Sequence, residues 1–184
     1  IIMTRKIYAS YGPTAKIFHW LIFLLLATQY AIGSIMPHIG KKTLDQGWVH
    51  WHLLVGAVIL LVIVLRFVWR LFHPVAMAEG LTGWELLVSR ITHLMLYAIV
   101  FAMTVLGWAA ANYRGWTVSL FDAVPLPALA PKGTSWAHEA GDLHNILVYV
   151  LLGFIALHVL GALYHYFIKR DRVVQRMLMA NDLP

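Results

Sequence analysis

Long apolar stretches alternate with short polar ones along the chain, and four of the apolar stretches are long enough to cross a bilayer. They cover residues 17–36, 49–71, 91–111 and 143–168. A hydrocarbon slab of ~30 Å takes about 20 helical residues, so each stretch predicts one membrane-spanning helix. The first stops at Pro37 and the polar run IGKKTLDQG, and the second closes on Arg66, Trp69 and Arg70. Between the second and third, HPVAMAEGLTGWELLVSR leaves room for a short interfacial helix around Trp84 to Val88. The longest connection, 116–140, carries Pro125, Pro127 and Pro131, which argue against a continuous helix there. The expected fold is all-α, an integral membrane four-helix bundle forming one domain over residues 1–184.

The pattern is broken in one telling way. The fourth apolar stretch contains His144, His158 and His165, spaced 14 and 7 residues apart. At ~100° per residue, a 14-residue step returns to within ~40° of the starting face and climbs ~21 Å along the helix. His144 and His158 therefore share a face at opposite depths. Ionisable residues inside a membrane are costly, which makes them functional candidates.

Composition sharpens the picture. Hydrophobic residues make up 61% of the 184, charged residues 12%, and the mean hydropathy is +0.74. A soluble domain is closer to half apolar and a quarter charged. There is no cysteine, so disulfides, thiolate-held iron–sulfur clusters and thioether-attached haem are excluded. A metal or cofactor must rest on histidine, carboxylate or non-covalent binding, and there are ten histidines. The net charge of +6 bears on orientation rather than on nucleic acid. With four spans both termini share a side, which receives Arg5, Lys6, Lys16, Arg66, Arg70, Arg90, Lys169, Arg170, Arg172 and Arg176. The opposite side has Lys41, Lys42, Arg114 and Lys132. Ten against four predicts both termini in the cytoplasm.

Orientation assigns depths to the histidines. His19 opens the first span at the inner leaflet, and His52 opens the second at the outer one. His144 is then outer and His158 inner, giving two same-depth pairs, His19 with His158 and His52 with His144. Two histidines from different helices are the arrangement that holds the iron of a b-type haem on both axial faces. A lone histidine near a span end is usually an interfacial residue; four at matched depths on three helices are not explained that way. Zinc, as in a metal-binding membrane protein or transporter, would ask for three or four ligands in one cluster.

Further positions fit the same scheme. Gly33 lies fourteen residues past His19 and Arg66 fourteen past His52. The glycine leaves space for a flat macrocycle, and the arginine at inner depth suits a haem propionate. Gly56 and Gly161 are candidates for relieving crowding beside the rings, although close helix packing explains such glycines equally well. His93 shares a face with Arg90, Tyr97, Phe101, Thr104 and Trp108 and is a candidate to hydrogen-bond a quinone head-group or a propionate. His50 and His138 compete with His52 and His144 as outer ligands on spacing alone. His165 is a polar residue without an assigned role, and His38 and His73 read as loop residues.

Taken in order, these features resemble the bacterial cytochrome b561 family of four-span di-haem proteins. The resemblance extends from about Tyr8 to Met177. Its carriers are His19-Trp20 after Tyr11; His52 with Gly56 and Arg66; His93 with Tyr97; Asn-Tyr-Arg-Gly at 112–115; and LHVLGALYHYFIKRD at 157–171. Family members often have a basic residue shortly after the N-terminal Tyr, where this chain has Gly12-Pro13.

The resemblance implies His19/His158 and His52/His144 as axial ligands of two haem b groups, favouring His52 over His50 and His144 over His138. It further implies a multi-pass protein of the bacterial inner membrane that passes electrons between the periplasmic face and the quinone pool. At least one such protein is regarded as a superoxide oxidase, with ubiquinone as acceptor. On that reading the outer-side cations Lys41, Lys42, Arg114 and Lys132 draw a small anion inward. The competing expectation is a b-type electron-transfer subunit serving a periplasmic redox partner. The expected partners are lipid, ubiquinone, and superoxide or another periplasmic donor, with no nucleic acid.

Overall fold

The computed structural model describes residues 11–40, 42–75 and 81–178. Four long helices dominate: α1 Pro13–Ile35, α2 Trp48–Phe72, α3 Gly83–Arg114 and α4 Ser135–Leu163, the last continued by one π-helical segment, Tyr164–Lys169. All four are long and apolar enough to cross a membrane, so the chain is an all-α four-helix membrane bundle. Arg5, Lys6 and Lys41, which enter the charge asymmetry, lie outside the described residues.

The ends of the helices follow from local chemistry. Pro13 occupies the first turn of α1, where its missing N–H is not needed. Met36 turns extended (φ −69°, ψ 150°) because Pro37 follows it. Thr82 and Glu85 start α3: the Glu85 carboxylate accepts from the Thr82 backbone N–H and from its hydroxyl, both at 2.8 Å. Gly115, at φ 82°, ends it in the left-handed conformation. Here the helix departs from the expectation of a separate interfacial helix followed by a span from residue 91. Ser89 and Arg90 carry no backbone penalty large enough to break a helix that is already capped, so α3 runs unbroken over 32 residues.

The fourth helix also starts early, at Ser135, two residues after Gly133. The rest of the long connection is a small antiparallel hairpin, β1 Ser119–Leu120 with β2 Val124–Pro125, turning on Phe121 and Asp122 at positive φ.

Packing places α2 against α1 and α3, and α3 against α4. Among the described residues α1 and α4 make no close backbone approach; side chains span the seam instead, as where the Tyr30 hydroxyl donates to the Val148 carbonyl at 2.9 Å. The main apolar core joins Ile22, Ile59, Val62, Ile63, Ile99, Val100 and Leu151. Ile59 and Leu151, each 1% exposed, are the largest fully buried side chains. Ile59 sits seven residues from both His52 and Arg66, and Leu151 seven from both His144 and His158. The core is thus an apolar layer between two polar levels.

Beyond the π-helical segment the chain reverses at Arg170 (φ 50°) and folds back to the start of α1. There Trp20 Nε1 donates to the Met177 carbonyl at 3.1 Å, and the Tyr11 amide donates to the Arg176 carbonyl at 3.3 Å. One end of the bundle therefore carries both terminal segments, and the other carries the hairpin.

Candidate cofactor site

Each polar level is built by histidines reaching across from different helices. At the terminal end, the rings of His19 (α1) and His158 (α4) lie with centroids 6.0 Å apart. At the hairpin end, those of His52 (α2) and His144 (α4) are 6.1 Å apart. Two metal–nitrogen bonds of roughly 2 Å each, with half a ring beyond each nitrogen, put opposed axial imidazoles about 6 Å apart. Both pairs match that separation.

The hairpin-end pair is tightly fitted. His144 Nδ1 donates to the Met103 carbonyl at 2.8 Å, which fixes the ring and leaves Nε2 as the lone-pair nitrogen. A Cβ on Gly107 would stand 3.1 Å from that ring, a tighter contact than side chains ordinarily make, so the glycine lets the ring sit close. Gly33 faces His52, where a Cβ would come within 3.8 Å of the ring. Nδ1 of His52 is buried with no hydrogen-bond partner among the described residues. Two imidazoles reaching across from facing helices at this 6.1 Å separation are a donor set that fits a metal-centred macrocycle. Gln29 holds the backbone here, donating to the His52 carbonyl at 3.0 Å, and Gly56 faces this glutamine rather than a histidine ring.

More polar groups surround the terminal-end pair. His93 stands 5.1 Å from His158, its Nδ1 donating to the Ser89 carbonyl at 2.6 Å. Arg66 stands at this end of α2, fourteen residues past His52. Its Nε donates to the Tyr97 hydroxyl at 2.7 Å. A Cβ on Gly161 would meet no neighbour within 4 Å among the described residues.

The remaining histidines point elsewhere. His50 pairs with Asp122 of the hairpin at 3.1 Å, and His138 stacks on Tyr113 at 5.1 Å. His165 pairs with Asp171 at 2.6 Å and His73 stacks on Trp69 at 3.7 Å. Of the outer cations, Arg114 donates to the Gly40 carbonyl at 2.8 Å and lies over Trp116, while the Lys132 stem crosses Gly115. Lys42 is exposed. Sequence reasoning missed Gly107, Gln29 and the Glu85–Lys169 bridge (3.1 Å) that ties the start of α3 to the end of α4. Gly107 carried a signal: it lies fourteen residues past His93, the step that also separates each ligand helix's polar positions.

Fold and geometry together define a four-helix membrane bundle with histidine rings paired across helices at two levels. A family profile described as prokaryotic cytochrome b561 matches residues 10–180. The chain belongs to that family. It is similar to cytochrome b561 homolog 2 of Escherichia coli (strain K12), 28% identical over 173 residues that cover 91% of this chain and 90% of the relative. Cytochrome b561 homolog 1 of the same organism is 23% identical over 171 residues, covering 91% and 96%. A Yersinia pestis protein named probable superoxide oxidase CybB is 23% identical over 169 residues, covering 87% and 90%. The chain is accordingly a haem b-binding electron-transfer protein, multi-pass in the bacterial inner membrane.

Proposed function

We propose that this protein holds two haem b groups, one between His19 and His158 and one between His52 and His144, and carries electrons between the periplasmic face and ubiquinone. The observation that carries the reading is the pair of matched ring separations, 6.0 and 6.1 Å, on opposite sides of one apolar layer. Haem supplies one-electron redox chemistry; the protein sets its spacing, potential and access. Both termini face the cytoplasm, as the lysine and arginine distribution favours, so the His52/His144 level is periplasmic.

Superoxide is the donor, a reading supported by the name of the Yersinia pestis relative. Two superoxide anions give up one electron each and leave as O2; ubiquinone takes both electrons with two protons to become ubiquinol. Arg114 and Lys132 flank Gly115 and Trp116 at the periplasmic end, where their charge attracts a small anion. His93, beside the cytoplasmic pair, is the polar ring available to a quinone carbonyl or to a carboxylate edge of the haem. Purified protein mixed with superoxide and ubiquinone is expected to form ubiquinol. Absence of quinol, with reduction by a periplasmic protein instead, would replace this reading with that of an electron-transfer subunit.

A further inference from the structure

The terminal end of the bundle holds a cleft lined by Arg66, Arg70, Tyr11, Tyr97, His73 and Met177. Arg66 and Arg70 are one helical turn apart on α2, an arrangement of like charges that is unfavourable by itself. Neither has a carboxylate within ion-pair distance among the described residues. Among the described residues the acids at this end are engaged elsewhere: Glu85 with Thr82 and Lys169, and Asp171 with His165 and the Val173 amide. Arg66 spends its Nε on Tyr97 and keeps both terminal nitrogens as donors. The Arg70 guanidinium lies 6.0 Å over the Tyr11 ring, which takes the Arg176 guanidinium at 5.4 Å. Two guanidiniums facing one cleft at the edge of a membrane call for an anion with more than one carboxylate or phosphate oxygen.

We infer that Arg70 is the second guanidinium of a dicarboxylate clamp, and that with Arg66 it binds the two propionates of the haem held by His19 and His158. This rests on the two-haem reading above and extends it to a residue that the spacing of the histidines does not reach. Haem b carries two carboxylates on one edge, and a guanidinium pair spaced one turn apart gives each its own bidentate partner. Arg66 connects the cleft to the ring pair through α3: its Nε donates to the Tyr97 hydroxyl at 2.7 Å, Tyr97 is one turn from His93, and the His93 ring lies 5.1 Å from that of His158. The folded-back tail, held by Trp20 and Tyr11, places Met177 on the cleft wall.

The test uses full-length protein in vesicles of neutral lipid and, separately, of neutral lipid with phosphatidylglycerol. Haem transfer to apomyoglobin and a spectroelectrochemical titration are followed for wild type, Arg70→Gln and Arg70→Lys, with His158→Ala marking which component is which. Arg70→Gln is expected to release the marked haem about tenfold faster, the factor of one charge-assisted contact. It should also lower that haem's midpoint potential, because lost positive charge favours the ferric form. Arg70→Lys should restore the potential, which follows the charge, and only part of the retention, since an ammonium makes no bidentate contact, and the effects should be the same in both lipids. Unchanged release and potential in Arg70→Gln overturn the proposal. So does a wild-type potential that moves with phosphatidylglycerol and stops moving in Arg70→Gln, since a lipid phosphate is then the occupant. A wild type with one haem defeats the two-haem reading alone; the Arg70 comparison is then made on that haem, with the same outcomes deciding.

Discussion

The two ends of the bundle solve the same problem with different materials. At the hairpin end the histidine pair is set by fit: Gly107 lies close against the His144 ring, Met103 fixes that ring, Gly33 faces His52, and no cation stands beside the pair among the described contacts. At the terminal end the pair sits in a charged setting, with His93 against His158, Arg66 on Tyr97, and the tail folded over the approach. On the two-haem proposal, a tight surround at one end and a charged one at the other would place two similar cofactors in unlike dielectric settings. That difference would separate their potentials and give the electron a direction.

The comparison is broken most severely by removing a ligand. His144→Ala is expected to halve the haem content by pyridine haemochrome while leaving the terminal-end component intact; loss of both, or of neither, would mean the levels are not independent. Next in size is Gly107→Val, whose branched side chain starts 3.1 Å from the His144 ring. It should strip the hairpin-end haem from most of the protein and spare the other, as seen in the redox titration.

A milder perturbation is Tyr97→Phe, which removes the hydrogen bond to Arg66. A loss of about 1 kcal/mol of stability is expected, read as a lower thermal midpoint, with a small potential change confined to the terminal-end haem. The smallest effect is expected from His50→Ala. Its partner Asp122 is half exposed, and such pairs contribute about 0–1 kcal/mol, so both haems should remain in full amount. Loss of the hairpin-end haem would instead make His50 the ligand.

Much of this was legible in the sequence because a helix converts spacing into position. Steps of fourteen residues put His19 and Gly33, His52 and Arg66, and His144 and His158 at two heights, and folding brings the predicted partners to about the same ring distance at each. The same step from His93 reaches Gly107, but what that glycine accommodates is a ring on another helix, which spacing within one helix does not reveal. The continuity of α3 through the expected interfacial helix at Trp84–Val88 into the span from 91 is not visible in hydropathy, because the deciding feature is the polar Thr82–Glu85 cap upstream. His165 found its partner only through the π-helical turn and the reversal at Arg170, which carry the chain off the 3.6-residue register and set Asp171 against it.

The central claim is two haems on two independent histidine pairs, and haem stoichiometry with ligand variants tests it most directly. Wild type should carry two haem b per chain, His158→Ala one, His144→Ala one, and the two variants should retain different redox components. One haem per wild-type chain, or the same surviving component in both variants, would contradict it.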